Sequence, residues 1–264
     1  MRILFIGDVF GSTGRRVLAE NLKEIITQYK TDVCIANGEN VAGGKGITLN
    51  LFKKMRRHGV DIITGGNHSM FDENIYFHTP PVQNLLRPFN YKNEKRGIGH
   101  TVFSLDDGRR IGVISLLGRT FFNDNLDCPF KAARKAINEI KEQTPVIVID
   151  FHAEATSEKV CLAHYLKGKV SAVLGTHTHV QTADERILRG GTAYITDAGM
   201  TGPEDSAIGM KFQQVIDRFL NHTLSRFEPA SAGPMFNGVV VEIDDSSGEA
   251  KNIHRIYQRT PFHS

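Results

Sequence analysis

The chain has 264 residues, 40% of them hydrophobic and 23% charged, with 32 Lys and Arg against 29 Asp and Glu for a formal net charge of +3. That profile excludes a disordered or fibrous chain and is long enough for one large α/β domain over residues 1–264. The basic residues are scattered, so stable DNA binding is not expected, although RNA ends or nucleotides stay open as substrates. Cys34, Cys128 and Cys161 are odd in number, widely spaced and without a CxxC arrangement, which reads as free buried thiols in a reducing cytoplasm. The N-terminal apolar run is too short for a signal peptide, and no stretch reaches the roughly 18 apolar residues of a membrane helix. A soluble, cytoplasmic protein is expected.

In chain order, Arg2 to Gly7 predicts a buried strand, and Leu18, Leu22, Ile25, Ile26 and Tyr29 recur at helical spacing between Arg15 and Lys30. The alternation repeats with a strand at Asp32 to Ala36, a helix at Leu49 to His58 and a strand at Asp61 to Thr64. Thr101 to Leu105 and Arg110 to Leu117 flank Asp106-Asp107-Gly108-Arg109, a hairpin signal. A strand at Pro145 to Ile149, a helix at Ser157 to Lys167 and a strand at Val170 to Leu174 follow. Gly238 to Ile243 and Lys251 to Gln258 close the chain as a second hairpin. Strands alternating with helices imply parallel pairing, and two hairpins add antiparallel partners. The expected fold is α/β, with two mixed β-sheets packed face to face and flanked by helices.

Separate stretches of the chain run up an apolar strand and then stop on a metal-type ligand: Gly7-Asp8, Gly38-Glu39-Asn40, Gly66-Asn67-His68, and the later pair Asp150-Phe151-His152 and Gly175-Thr176-His177-Thr178-His179. A parallel sheet directs its carboxyl ends to one side, so five exits can meet at one pocket. Carboxylate, carboxamide and imidazole without cysteine suit divalent iron, manganese or zinc in a catalytic rather than a closed structural site. Taken singly, Asp8 is a turn or capping residue, Asn67 a turn residue after Gly65-Gly66, and His177 with His179 an exposed pair. Seven such residues at five exits make a two-ion site the better reading: Asp8, Glu39, Asn40, Asn67, His152, His177 and His179. Two ions about 3.5 to 4 Å apart can generate hydroxide at neutral pH and clamp the attacking and leaving oxygens of a phosphoryl displacement.

His68 follows Asn67 directly, so it cannot easily reach the same ion and faces the substrate side, where an imidazole can protonate a departing alkoxide. Other signals fail. Ala42-Gly43-Gly44-Lys45-Gly46 resembles a phosphate loop, yet a Walker sequence requires Gly at Glu39 and Ser or Thr at Gly46; it reads as a flexible, substrate-facing loop. His58 and His164 fall within helices, and His78, His100, His222, His254 and His263 lack the strand-exit context. No Gly-x-Ser-x-Gly elbow supports Ser-His-Asp catalysis. Arg119-Thr120, after the strand ending at Leu117, either contacts phosphate or merely ends the strand, and Thr201 is equally open.

These exits resemble the motifs of calcineurin-like metallophosphoesterases, whose fold is an αββα sandwich. More narrowly, Met1 to Gly11, Asn37-Gly38-Glu39-Asn40, Asp150 to Lys159 and Tyr194 to Pro203 are similar to the YmdB-like bacterial phosphodiesterases, over nearly the whole chain. The broad superfamily's Asp-x-His is here Asp8-Val9-Phe10, and the resemblance implies that Asn40 fills the vacancy. It also implies Asp8 and His179 on one ion, Asn67, His152 and His177 on the other, Glu39 bridging, two iron or manganese ions per chain, and His68 as proton donor.

The expected function is a dinuclear metal-dependent phosphodiesterase that hydrolyses 2′,3′-cyclic nucleotides, 3′,5′-cyclic nucleotides or related diesters by metal-hydroxide attack. The alternatives are a regulatory metal-bound scaffold for an RNA-processing or signalling partner, and a phosphomonoesterase such as a nucleotidase. Symmetric self-association is common among soluble enzymes, but no stripe of residues marks an interface.

Overall fold

The structure, a computed structural model, describes residues 1–70, 75–76, 82–222 and 226–259. The first sheet contains β1 (Arg2–Ile6), β2 (Asp8–Val9), β3 (Val33–Asn37), β4 (Ile62–Thr64), β11 (Met200–Pro203), β12 (Pro234–Ile243) and β13 (Ala250–Arg259). Its order is β2-β11-β12-β1-β3-β4, with β13 also paired to β12. Strands β1, β3 and β4 run parallel, while β12 is antiparallel to β1. The second sheet is made, in spatial order, of β5 (His100–Ser104), β6 (Arg110–Leu117), β7 (Ile147–His152), β8 (Ala172–Thr176), β10 (Thr192–Ile195) and β9 (Arg186–Leu188). Strands β6, β7, β8 and β10 are parallel, and the edges β5 and β9 are antiparallel.

Side-chain alternation builds the layers. Ile3, Phe5, Val33, Ile35 and Ile62 of the first sheet meet Ile111, Val113, Val148, Leu174 and Ile195 of the second in one interlayer core. The intervening residues Leu4, Ile6, Cys34, Ala36 and Ile63 face outward, where α1 (Gly11–Tyr29) and α2 (Leu49–Arg57) cover them with Leu18, Leu22, Ile25, Phe52 and Met55. On the far side, Ile114, Leu116, Ile147 and Ile149 pack under α3 (Pro129–Ile140) and α4 (Thr156–Leu166). Burial on both faces is why the parallel strands read as continuous apolar runs. Thr48 caps α2, its hydroxyl accepting from the Leu51 amide at 3.3 Å.

The structure bears out the expected two-sheet α/β architecture and corrects its details. Helix α1 begins at Gly11, not Arg15, and β7 and β8 extend to His152 and Thr176. The short strands β2 and β9 to β11 and the helices α3 and α5 (Phe212–Asn221) add to the expected elements. Pro129 at the first turn of α3, followed by Ala132, Ala133, Ala136, Ile137 and Ile140 at helical spacing, carried a readable signal. The cysteines are free but not all buried: Cys34 is in the core, Cys128 is half-buried and Cys161 is exposed on α4. No helix among the described residues is long and apolar enough to cross a membrane.

Candidate metal centre

The carboxyl ends of β1, β3, β4, β7 and β8 meet at one edge of the sandwich, and all seven candidate ligands stand there. Their approach is close. Gly7 lies against the backbone of Gly199, where a Cβ would stand 1.9 Å from the Gly199 oxygen, and this contact lets Asp8 enter β2 beside β11. At the β4 exit, a Cβ on Gly66 would lie 2.2 Å from Glu39 Oε2 and 2.5 Å from His152 Nε2.

Asp8, Glu39, Asn40 and His152 are buried, whereas Asn67, His68, His177 and His179 are half-buried along the opening. Glu39 Oε1 is 3.2 Å from His152 Nε2, which is also 3.1 Å from Asn67 Oδ1 and 3.1 Å from His177 Nδ1. One donor atom each from Glu39, His152 and His177 falls within a 4.8 Å cluster that could hold a metal ion. A second grouping adjoins it: His179 Nε2 is 3.3 Å from Asn40 Oδ1 and 3.9 Å from Asp8 Oδ1. His177 and His179 both take positive φ, 104° and 65°, a conformation uncommon outside glycine and often held at functional sites.

The surroundings aim these donors. Thr176 donates to Asp150 Oδ1 at 2.7 Å, so its oxygen accepts from His152 Nδ1 at 2.9 Å and turns Nε2 towards Glu39. Asn37 donates to Asp150 at 2.9 Å and accepts from the Glu39 amide at 3.1 Å. His179 Nδ1 bonds the Ile208 carbonyl at 2.8 Å, and the Asn40 amide nitrogen donates to Gly44 at 2.9 Å. Beneath the His-x-His turn, the buried Lys159 ammonium joins the Thr176 carbonyl at 2.7 Å to Asp197 at 2.8 Å. Asp197 in turn accepts from the Thr178 amide at 3.0 Å.

This donor set fits a bound cation. Asp8 Oδ1 is fully buried with no hydrogen-bond partner, an arrangement that is costly unless a positive charge satisfies it. Burial pushes Asp8 upward against its neighbouring histidines. Burial likewise opposes ionisation of Glu39, but His152 and His68 outweigh it and hold the carboxyl well below its ordinary range. Burial lowers His152, yet Glu39, Asp8 and Asp150 together raise it to about 9. Burial and the His152 charge lower His177 to about 3, leaving a neutral imidazole. Burial raises Asp150 to about 6. The carboxylates therefore call for positive charge at the place where the imidazole donors converge.

His68 donates its amide to Glu39 Oε2 at 2.9 Å, and its Nδ1 lies 3.1 Å from Glu39 Oε1 and 3.3 Å from the Asn40 amide nitrogen. Its ring lines a cavity of ≈450 Å³ with Phe10, Glu39, Asn40, His177 and His179. Phe10, in the place of the superfamily's histidine, puts its ring edge-on to His179 at 5.6 Å. The glycine loop also reaches this cavity through Gly44 and Lys45.

Sequence reasoning assigned no role to Glu154, whose carboxylate is 2.9 Å from His177 Nε2, nor to Asn37, Asp150, Lys159, Thr176 and Asp197. Their signal was adjacency to the ligand motifs. Arg119 and Thr120 are exposed and give their amides to Glu158, while Thr201 is buried and donates to the Asn237 carbonyl. His58 and His164 are exposed, His100 pairs with Glu139, and His254 packs on Tyr29. His222 ends α5, and His78 and His263 lie outside the described residues.

Two face-to-face mixed sheets with this donor set at their carboxyl edge define a two-sheet α/β hydrolase with a candidate metal centre. The chain belongs to the YmdB-like protein family, whose description matches residues 4–256. It is 48% identical over 256 residues to a 2′,3′-cyclic-nucleotide 2′-phosphodiesterase of Bacillus subtilis (strain 168), covering 97% of this chain and 96% of that one. Among solved structures, a hypothetical protein from Thermus thermophilus is 37% identical with TM-score 0.91, covering 99% of this chain and 100% of that one. A protein of Mycoplasma pneumoniae described as a novel phosphatase is 34% identical with TM-score 0.92, covering 98% and 93%.

Proposed function

We propose that this chain is a cytoplasmic metal-dependent phosphodiesterase that opens 2′,3′-cyclic nucleotides or related diesters, with two divalent ions, iron or manganese, at the strand exits. The observation that carries the reading is the buried Asp8 Oδ1, which accepts no hydrogen bond and faces the imidazoles of His152 and His179 at 3.6 and 3.9 Å, in a chain 48% identical to the Bacillus enzyme. Asp8, Asn40 and His179 would hold one ion, Asn67, His152 and His177 the other, and Glu39 both. Ions bound there would polarise the phosphate and supply an activated water at neutral pH. Three free cysteines support a reducing compartment.

In the reaction, water adds across the P–O2′ bond, its oxygen going to phosphorus and a proton to O2′, to leave a 3′-phosphomonoester. His68 is the proton donor in this reading. Glu39 and Asn40 hold its Nδ1 side, which leaves the Nε2 edge to face the leaving oxygen in the cavity. The apolar ring of Phe10 and the buried strand ends limit water at the same place.

The test is hydrolysis of a 2′,3′-cyclic nucleotide by protein loaded with manganese or ferrous iron, beside a chelated sample. Turnover should vanish on chelation. In His68→Ala with metal content retained, kcat should fall by about a hundredfold or more, and an unchanged kcat would remove His68 from this role. Glu39→Gln should lose both metal equivalents in elemental analysis; loss of only one counts against a shared ligand. The Mycoplasma relative's description as a phosphatase favours a phosphomonoester as second substrate, and parallel assays on a nucleoside monophosphate separate the two.

A further inference from the structure

The cavity beside His68 does not end at the metal centre. Helix α5 buries none of its own residues, and Phe219 is 79% exposed. Yet Val215, Arg218 and Phe219 of this helix, with Phe227, line the same cavity as the candidate ligands. An aromatic wall beside a phosphate-handling centre is a stacking surface for a base, since every base offers a π-face.

A second cleft of ≈680 Å³ adjoins the first and shares Lys45, Met210, Arg218 and Phe227 with it. It adds Arg226, the Ala42-Gly43 backbone, Glu228 and Pro229, and contains none of the candidate metal ligands. Its one carboxylate, Glu228, is paired with Lys211 at 2.6 Å. Among the described residues that line the cleft, the other charged side chains are Lys45, Arg218 and Arg226. The Arg218 guanidinium lies over the Phe227 ring at 5.2 Å from its centre, so the aromatic wall and the basic cleft are joined at one pair. The first cavity is at the small end of the roughly 300 to 1,000 Å³ common for ligand sites, room for a single nucleotide. A mononucleotide with its phosphate at the metal centre carries no second anion for the cationic cleft.

We propose that the substrate is a short single-stranded oligonucleotide with a terminal phosphodiester. The terminal phosphate reacts at the metal centre, its base rests against Phe219 and Phe227, and the next phosphate along the chain sits on Arg218 and Arg226. This inference rests on the phosphodiesterase reading. It places the enzyme after a reaction that cleaves RNA by attack of its own 2′-hydroxyl, since that chemistry leaves 2′,3′-cyclic ends on oligonucleotides.

The experiment compares kcat/KM for 2′,3′-cyclic AMP with that for a diadenosine dinucleotide ending in a 2′,3′-cyclic phosphate, in the metal-loaded enzyme. The dinucleotide should be favoured by about tenfold at low salt, the worth of one charge-assisted phosphate contact, with the advantage shrinking as salt rises. The dinucleotide-to-mononucleotide ratio should collapse towards unity in Arg226→Ala and be largely kept in Arg226→Lys; a merely structural role would lower both substrates alike and leave the ratio intact. Equal kcat/KM on the two substrates, or an unchanged ratio in Arg226→Ala, overturns the inference while leaving the phosphodiesterase reading standing. Wild-type enzyme that hydrolyses neither diester overturns that reading, and the inference with it.

Discussion

Gly66 stands where a methyl group does not fit, because Glu39 Oε2 and His152 Nε2 already occupy the space a Cβ would need. Both neighbours are tied, Glu39 by the His68 amide and His152 by Thr176, so neither yields freely. Gly66→Ala should destabilise the fold by about 1–3 kcal/mol, as overpacking does, and should cut metal content and kcat while the far-UV circular dichroism is preserved. Full metal content in that variant would contradict the placement of Glu39 and His152 at one ion. Lys159 and Asp197 are 1% and 0% exposed as side chains, and removing one partner leaves the other charge buried. Lys159→Met should therefore cost about 3–5 kcal/mol in urea unfolding, with part of the loss recovered when Asp197→Asn is added. If the double variant is no better than the single one, the cost comes from packing rather than from charge.

Elements, rather than single residues, decide how far apart the candidate ligands stand. The short pairing of β2 with β11 carries Asp8 beyond the end of β1, next to the His177 amide at 3.0 Å. The opposite end of the sandwich is closed by charge. Arg109, in the turn between β5 and β6, reaches Asp32 before β3 at 2.7 Å and Asp245 between β12 and β13 at 3.4 Å, so it links the two sheets. Partial burial opposes ionisation of Asp32, but the Arg109 guanidinium and the Arg2 amide hold its carboxyl below the usual range. A carboxyl depressed on folding contributes stability above its unfolded pKa of about 3.9 and loses that contribution as pH falls through the folded value. Between about pH 6 and pH 3 the wild type should lose more of its urea midpoint than Asp32→Asn does. Equal losses would show that this ion pair does not couple the sheets.

At the scale of the molecule, one interlayer core joins residues from Ile3 to Ile253, and the final hairpin β12–β13 closes the sheet that begins with β1. We propose one domain over the chain on that ground, and calorimetry should show a single unfolding transition. Because a cation that binds only the folded site stabilises it by mass action, adding manganese should raise Tm in a concentration-dependent way and chelation should reverse the rise. Two separate transitions, only one of them metal-sensitive, would instead divide the chain.

Sequence alone determined the parallel strands, since Ile3-Leu4-Phe5-Ile6 and Val146-Ile147-Val148-Ile149 are apolar on both faces, and it singled out the candidate donors, since Asp8, Glu39, Asn67, His152 and His177 stand at a strand end or within three residues of one. Hairpins with glycine in the turn, such as Asp106 to Arg109, were legible for the same local reason. Only the tertiary structure decided what surrounds the donors. Lys159 and Asp197 are 38 residues apart and meet only because α4 packs on β8, so their ion pair has no periodicity to read. Helix α5 has a helical apolar spacing in Phe212, Val215, Ile216, Phe219 and Leu220 that the sequence made legible, but the fold leaves that face unburied, and no local pattern announces that. Val215, Arg218 and Phe219 of this helix line the same cavity as the candidate metal ligands. Local chemistry is written in adjacent residues, whereas the walls of the cleft come from contacts that exist only after both sheets have closed on one another.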